Sequence, residues 1–252
     1  MVALAEPVTL PDPCTIVVRV QPWLLDGRPQ TVLAIEGGPV LSVAREGARL
    51  GLGGRWAQVA APMLKGRWYE LRVIATAGQL RLRQTAMQRS WGVADSGSAE
   101  VPASLGTLRK LTFGAASTAQ PGPHENPYCC FFNGRLEDPA ILQGVREGAA
   151  PIQPGEAECL AWWDFSAEIP TDRFVDRGPH GLHGQLRNLP TRAVRGSRWS
   201  GEETSWRHMP RHYAAIHFHE DDLYDCGWEN GFHRRNSCRN DVRGLWHPPA
   251  LR

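Results

Sequence analysis

Residues 79–85 read Gln-Leu-Arg-Leu-Arg-Gln-Thr, apolar at alternate positions, so that Leu80 and Leu82 share one side and Arg81 and Arg83 the other. That alternation belongs to an antiparallel strand with one face on a core and one in water. The preceding run, 68–75, Trp-Tyr-Glu-Leu-Arg-Val-Ile-Ala, is predicted to be its hairpin partner across Ala77-Gly78. Its imperfect period of two places Trp68, Leu71 and Val73 towards a core and Glu70 and Arg72 towards water.

The same reading continues along the chain. The β-branched run 14–20, bounded by Pro13 and Pro22, predicts a strand. Residues 31–35 and 40–45 flank Gly37-Gly38-Pro39 as a hairpin would, and 49–52 follows as a third short strand. Residues 90–104, small and polar, predict a long loop; 111–115 is a short strand, and 116–127 a loop again. Residues 128–135 are expected to form a central strand ending in an Asn133-Gly134 turn, residues 140–148 a helical turn or two, and 160–165 the last core strand. From 172 to 207 the alternation fades, which predicts an ordered but irregular segment lying over the sheets, with disorder reserved for the chain ends.

Short strands punctuated by 26 Gly and 20 Pro, with hardly any helix-length periodicity, point to an all-β antiparallel sandwich or jelly roll rather than an α/β fold. A length of 252 residues suits one main core of this kind. The balance of 28 Lys plus Arg against 26 Asp plus Glu leaves a net charge of +2, too small a field to attract nucleic acid or an anionic membrane. Residues 1–13 lack the basic end and apolar run of a secretory signal, and no stretch reaches transmembrane length, so a cytoplasmic location is expected. The six cysteines are scattered without zinc-knuckle or disulfide-scaffold spacing, and reduced, mostly buried thiols are expected.

Three stretches resemble the laminin-G-like, concanavalin-A-like jelly roll: Gly66-Arg67-Trp68-Tyr69-Glu70-Leu71-Arg72-Val73, Phe132-Asn133-Gly134-Arg135-Leu136-Glu137-Asp138-Pro139 and Ala161-Trp162-Trp163-Asp164-Phe165-Ser166. In such domains the second of these leads into a short surface helix. A further set resembles the large (beta) subunit of the N,N-dimethylformamidase family: Ile169-Pro170-Thr171-Asp172, Gly178-Pro179-His180-Gly181-Leu182-His183-Gly184, Asn188-Leu189-Pro190-Thr191-Arg192-Ala193-Val194, and Ile216-His217-Phe218-His219-Glu220-Asp221-Asp222 within 213–228. The likeness runs from about residue 13 to 232. It implies an iron-dependent amidohydrolase whose mononuclear iron belongs to a later α/β catalytic domain, a domain with no counterpart here. No catalytic residue and no cofactor are therefore expected in this chain. The expected partners are the missing catalytic domain and a small subunit within an oligomer. The alternative is a free-standing laminin-G-like carbohydrate-binding module.

On this reading residues 1–168 form the sandwich and 169–232 an irregular linker and the start of the next domain. Residues 233–252 are a tail without periodicity or family likeness, expected to be disordered and out of frame, because shifting its codons by one base permits a strand, a turn and a second strand like those of the relatives. An apolar patch is expected around 199–228, where an interface for the missing domain would be left bare.

Candidate chemistry is sparse. His217 and His219 lie on one face of a strand, where two imidazoles can share a divalent ion. The competing reading pairs the polar ends of that strand with Arg207, Arg211 or a neighbouring domain, and the resemblance favours it. His180 and His183 read as turn or interface residues. Asp164, Asp172 and Asp176 could supply an acid/base pair of the glycosidase kind, but no paired-carboxylate signature accompanies them, and Asp164 is expected to hold a backbone amide or an arginine. Cys129-Cys130 read as two buried thiols, since neighbours on a strand point to opposite faces. Trp162, Trp163, Trp199, Trp206 and Trp228 could stack on sugars, but are expected in a core or an interface.

Overall fold

The computed structural model of the chain describes residues 2–88, 93–117, 128–148, 152, 155–188, 190–194, 196–197 and 215–218, with the backbone alone at 2–7, 193 and 215–218. The tail 233–252, the patch expected around 199–228 (but for the backbone of 215–218), and His219 fall outside the described residues.

The described chain is all-β, with no helix among those residues. Its strands are β1 (Val2–Thr9), β2 (Cys14–Pro22), β3 (Gln30–Ile35), β4 (Val40–Ala44), β5 (Gly47–Leu52), β6 (Arg55–Gln58), β7 (Tyr69–Thr76), β8 (Gln79–Ala86), β9 (Gly97–Pro102), β10 (Thr107–Phe113), β11 (Ala116–Ser117), β12 (Tyr128–Cys129), β13 (Gly134–Gln143), β14 (Cys159–Asp164), β15 (Arg173–Asp176), β16 (Gly184–Gln185), β17 (Thr191–Val194) and β18 (Ala215–Phe218). A six-stranded sheet runs β1-β10-β3-β4-β5-β6, and a ten-stranded sheet runs β16-β15-β14-β13-β2-β7-β8-β9, with β18 joined to β13 and β17 to β18. The core between them takes alternate residues from each strand: Cys14, Ile16, Val18 and Val20 from β2, Tyr69, Leu71, Val73 and Ala75 from β7, and Leu41 and Val43 from β4. At one end Phe113 packs edge-on against Trp163, Phe165 and Phe174, with ring centroids 5.1–6.0 Å apart.

The β7–β8 hairpin forms as its alternation predicts, and Leu80 and Leu82 are wholly buried. Elsewhere the structure corrects the sequence reading. Residues 97–102 are strand rather than loop, because β8 would otherwise leave its outer edge unpaired. β9 fills that edge from Gln84↔Gly97 to Gln79↔Pro102, and its small polar residues carried no apolar signal. The segment before β2 also pairs, with β10.

The expected strand over 128–135 is divided into β12 and the start of β13, and β13 continues through 140–143 where a helical turn was expected. Cys130 takes a left-handed conformation that ends the earlier run. Asn133-Gly134 opens the new strand instead of turning: a Cβ on Gly134 would stand 2.3 Å from the Gln21 carbonyl oxygen, so glycine here permits close approach to β2. A bulge between Glu137 and Ala140, with Asp138 at φ 47°, accommodates Pro139. Beyond the bulge Ala140, Ile141 and Leu142 are all buried, a continuous apolar run that imitates a helix only because both faces of β13 are covered there. The bulge also splits the strand's other edge, since 134–136 pair with β18 and 140–142 with β14.

β15 and β16 continue the larger sheet beyond residue 168, and Phe174 and Leu186 join its core.

Candidate functional site: the covered outer face of the larger sheet

Thr15, Val17 and Arg19 of β2 and Glu70, Arg72 and Ile74 of β7 point away from the core yet are buried, contrary to the exposure expected of Glu70 and Arg72. They meet the connection between β13 and β14. Ile152 of that connection packs with Val17, Ala140, Leu142 and Cys159, and Trp162 lies against the group. Next to it the pairing registers Glu137↔Arg19 and Arg19↔Glu70 set three charged residues in a row across β13, β2 and β7. All are 1–6% exposed.

Glu70 is the hub of this row. It receives Arg72 Nε at 2.7 Å and faces Arg19 Nε at 3.5 Å, while Arg19 Nη1 reaches Asp138 at 2.8 Å. Arg72 Nη1 donates to the Arg146 carbonyl oxygen at 2.9 Å, the Arg146 amide donates to Thr15 Oγ1 at 3.0 Å, and Thr15 donates to the Gly144 carbonyl oxygen at 2.8 Å. The connection is thereby stitched to the sheet by the groups it buries. Glu137 stands at the end of the row and accepts the Ser197 amide at 2.8 Å. Burial, then the neighbouring Asp138 carboxylate, push the Glu137 carboxyl above its usual range, against the pull of Ser197 and Arg19. The arginines are matched by carboxylates, so the face is an ion-paired seam rather than a charged cavity. Beyond the connection it opens into a cleft of about 590 Å³ lined by Arg81, Arg83, Glu100 and Glu147, with Arg81 held at 2.9 Å by Glu100 and 2.8 Å by Glu147.

The carboxylates singled out in the sequence are engaged in holding backbone. Asp176 accepts the amides of Trp162, Gly178 and Leu182 at 2.7–2.8 Å, a clasp that fixes the turn after β15. Asp164 accepts the amide and hydroxyl of Ser166 and faces Arg177 at 3.5 Å, as expected of it. Asp172 accepts from Gln185. His183 Nδ1 accepts the Asp176 amide at 3.2 Å, whereas His180 is exposed at the lip of a small apolar cavity. Trp163 is core; Trp162 is half-buried on the outer face. Cys129 is half-buried and Cys130 exposed, which corrects the expectation that both are buried. His217 sits on β18 between Arg135 of β13 and Thr191 of β17, and its backbone alone is described. Among the described residues no group of three or more His, Cys, Asp and Glu is placed to hold a metal ion. No helix among them is long and apolar enough to cross a membrane.

Sequence reasoning missed Arg192. Its guanidinium donates to the carbonyl oxygens of Ala167, Glu168, Ile169, Thr171 and Arg173 at 2.5–3.1 Å, gathering the loop before β15 around one side chain. Burial lowers its pKa against the pull of Glu168 and Asp164. The signal was present as two motifs, 169–172 and 188–194, whose connection in space the sequence did not disclose.

The chain is similar to the beta subunit of N,N-dimethylformamidase. It is 39% identical to that of Alcaligenes sp over 112 residues, and 38% identical to that of Paracoccus aminophilus over 112 residues. Each match takes in 40% of this chain and 15% of the relative, so the chain spans a small part of the length of these proteins. No family model matches. Among solved structures, a candidate carbohydrate binding protein from Bacteroides ovatus ATCC 8483 superimposes with a TM-score of 0.48 at 12% identity, over 75% of this chain and 54% of that one. A SAP-like pentraxin from Limulus polyphemus gives 0.33 at 14% identity, over 53% and 66%. Neither likeness bears on what this chain does.

Proposed function

We propose that this chain is the β-sandwich segment of an N,N-dimethylformamidase-like large subunit, a concanavalin-A-like jelly roll that packs against a catalytic domain and a small subunit and catalyses nothing itself. The observation that carries this reading is the 39% identity to a named beta subunit over 112 residues. The geometry is in keeping with it, since Asp164, Asp172 and Asp176 are each spent on holding backbone or a neighbouring side chain, and the buried carboxylates of the outer face are tied to arginines or an amide. In this reading the iron and the hydrolytic groups belong to a part of the relatives that lies outside the match.

The test has two arms. The purified chain is incubated with N,N-dimethylformamide and iron, and release of dimethylamine is measured; none is expected above a protein-free blank, and turnover would overturn the assignment. The chain is then mixed with a separately produced catalytic portion of such a large subunit. Co-elution is expected. Failure to associate, combined with retention of a glycan by the chain alone, would favour a free-standing carbohydrate-binding module.

A further inference from the structure

Cys129 lies in the short β11–β12 ladder, opposite Ala116, and Cys130 follows it at φ 53°. In a continuing strand the two side chains would point to opposite faces. The left-handed Cys130 breaks that alternation, and burial, then the neighbouring Cys130 thiol, raise the pKa of Cys129. Cys130 is exposed and Cys129 half-buried. A non-glycine residue is disfavoured in this conformation and needs its surroundings to hold it. Here they do so on both sides: the Cys130 carbonyl oxygen accepts the Thr31 amide at 2.7 Å, and the Phe132 amide donates to the Gly114 carbonyl oxygen at 2.8 Å. The backbone of the dipeptide is thus pinned to β3 and to the end of β10, with two thiols on adjacent residues and that of Cys130 open to solvent. Nothing in the proposed packing role uses this arrangement.

We infer that Cys129 and Cys130 form a vicinal dithiol that undergoes reversible thiol–disulfide exchange with low-molecular-weight disulfides of the glutathione class. The exposed Cys130 reacts first: its thiolate attacks one sulfur of the oxidised glutathione, a mixed disulfide forms, and one glutathione thiolate leaves. The Cys129 thiolate then attacks Cys130 Sγ and expels the second. The two cysteines lose two protons and two electrons in all, and one disulfide molecule is reduced to two thiols. The Cα atoms of adjacent residues are about 3.8 Å apart, short of the roughly 4.4–6.8 Å usual for a disulfide, so the product is strained and easily reduced. Strained, exposed disulfides are the labile and regulatory ones.

The test uses the full chain carrying C226S and C238S, which leaves Cys129 and Cys130 with the buried Cys14 and Cys159. The folded protein is equilibrated across ratios of oxidised to reduced glutathione, free thiols are blocked, and the peptide containing 129–130 is weighed. The expected product has lost two hydrogens and is restored by dithiothreitol. The C129S variant is expected to accumulate a glutathione adduct on Cys130, and C130S to leave Cys129 unmodified under the same conditions. A stable adduct on Cys130 while Cys129 is still present, or an unmodified pair at ratios that oxidise the unfolded chain, would overturn the inference.

Discussion

Arg192 Nη2 donates to the Thr171 carbonyl oxygen at 2.8 Å, joining the stretches 169–172 and 188–194 through two residues 21 positions apart. The same guanidinium holds four further carbonyl oxygens between residues 167 and 173. A planar fork with five N–H donors suits such a task, and a lysine ammonium with three does not. Arg192→Ala is expected to cost about 0.5–1.5 kcal/mol, since most of the carbonyls it releases are exposed and water can take its place. Arg192→Lys should recover less than half of the loss. Urea unfolding, with limited proteolysis of the loop before β15, measures both; a lysine variant as stable as the parent would show that charge alone suffices.

Glu70 lies between Arg19 and Arg72 on the covered outer face, and its removal strands two buried guanidinium groups. Glu70→Ala is expected to destabilise by about 3–5 kcal/mol. Glu100 also binds an arginine, Arg81, at 2.9 Å, but both side chains are more than 40% exposed. Glu100→Ala should cost about 0–1 kcal/mol. Similar losses in the two variants would mean that the connection does not exclude water from the Glu70 row.

The buried Glu137 makes stability depend on pH with a definite sign. Its carboxyl titrates above the ordinary value near 4.5, so the folded chain keeps a proton that the unfolded chain has released. The folded state then binds more protons than the unfolded one, and the contribution of this group to stability falls as pH rises from about 4.5 to the folded-state value. Glu137→Gln removes that contribution. Relative to the parent, the glutamine variant is expected to gain stability as pH rises through that window, measured as the urea midpoint at successive pH values. A difference that stays flat, or shrinks with pH, would contradict the burial of this group.

Two thiols should be inert while the chain is folded. Burial and the nearby Asp12 push Cys14 up to about 12, and burial with Asp176 and Glu156 pushes Cys159 up to about 11. The thiolate is the reacting form, so both are expected to resist N-ethylmaleimide at pH 8 and to label only as the protein unfolds. Mass spectrometry of alkylated peptides, with and without urea, gives the answer. Rapid labelling of Cys14 in the native protein would place β2 at an open edge rather than in the middle of its sheet.

The sequence by itself determined the all-β class, the β2, β3–β4–β5 and β7–β8 strands, and the inward side of β8, because side-chain alternation is a local property that a strand writes directly into its residues. It also carried the likeness to the amidohydrolase subunit. Only the tertiary structure decided what lies over each face. Alternation separates the two sides of a strand but does not say whether the second side is wet. Glu70 and Arg72 read as solvent-facing until the chain around Arg146, 74 residues from Arg72, closes over them. Gly134 read as a turn because a glycine that permits close approach and one that permits a bend are the same residue in a sequence. The reach of Arg192 around residues 167–173, and the left-handed Cys130 held by the Thr31 amide, depend on contacts between segments apart in the chain, and no local pattern records them.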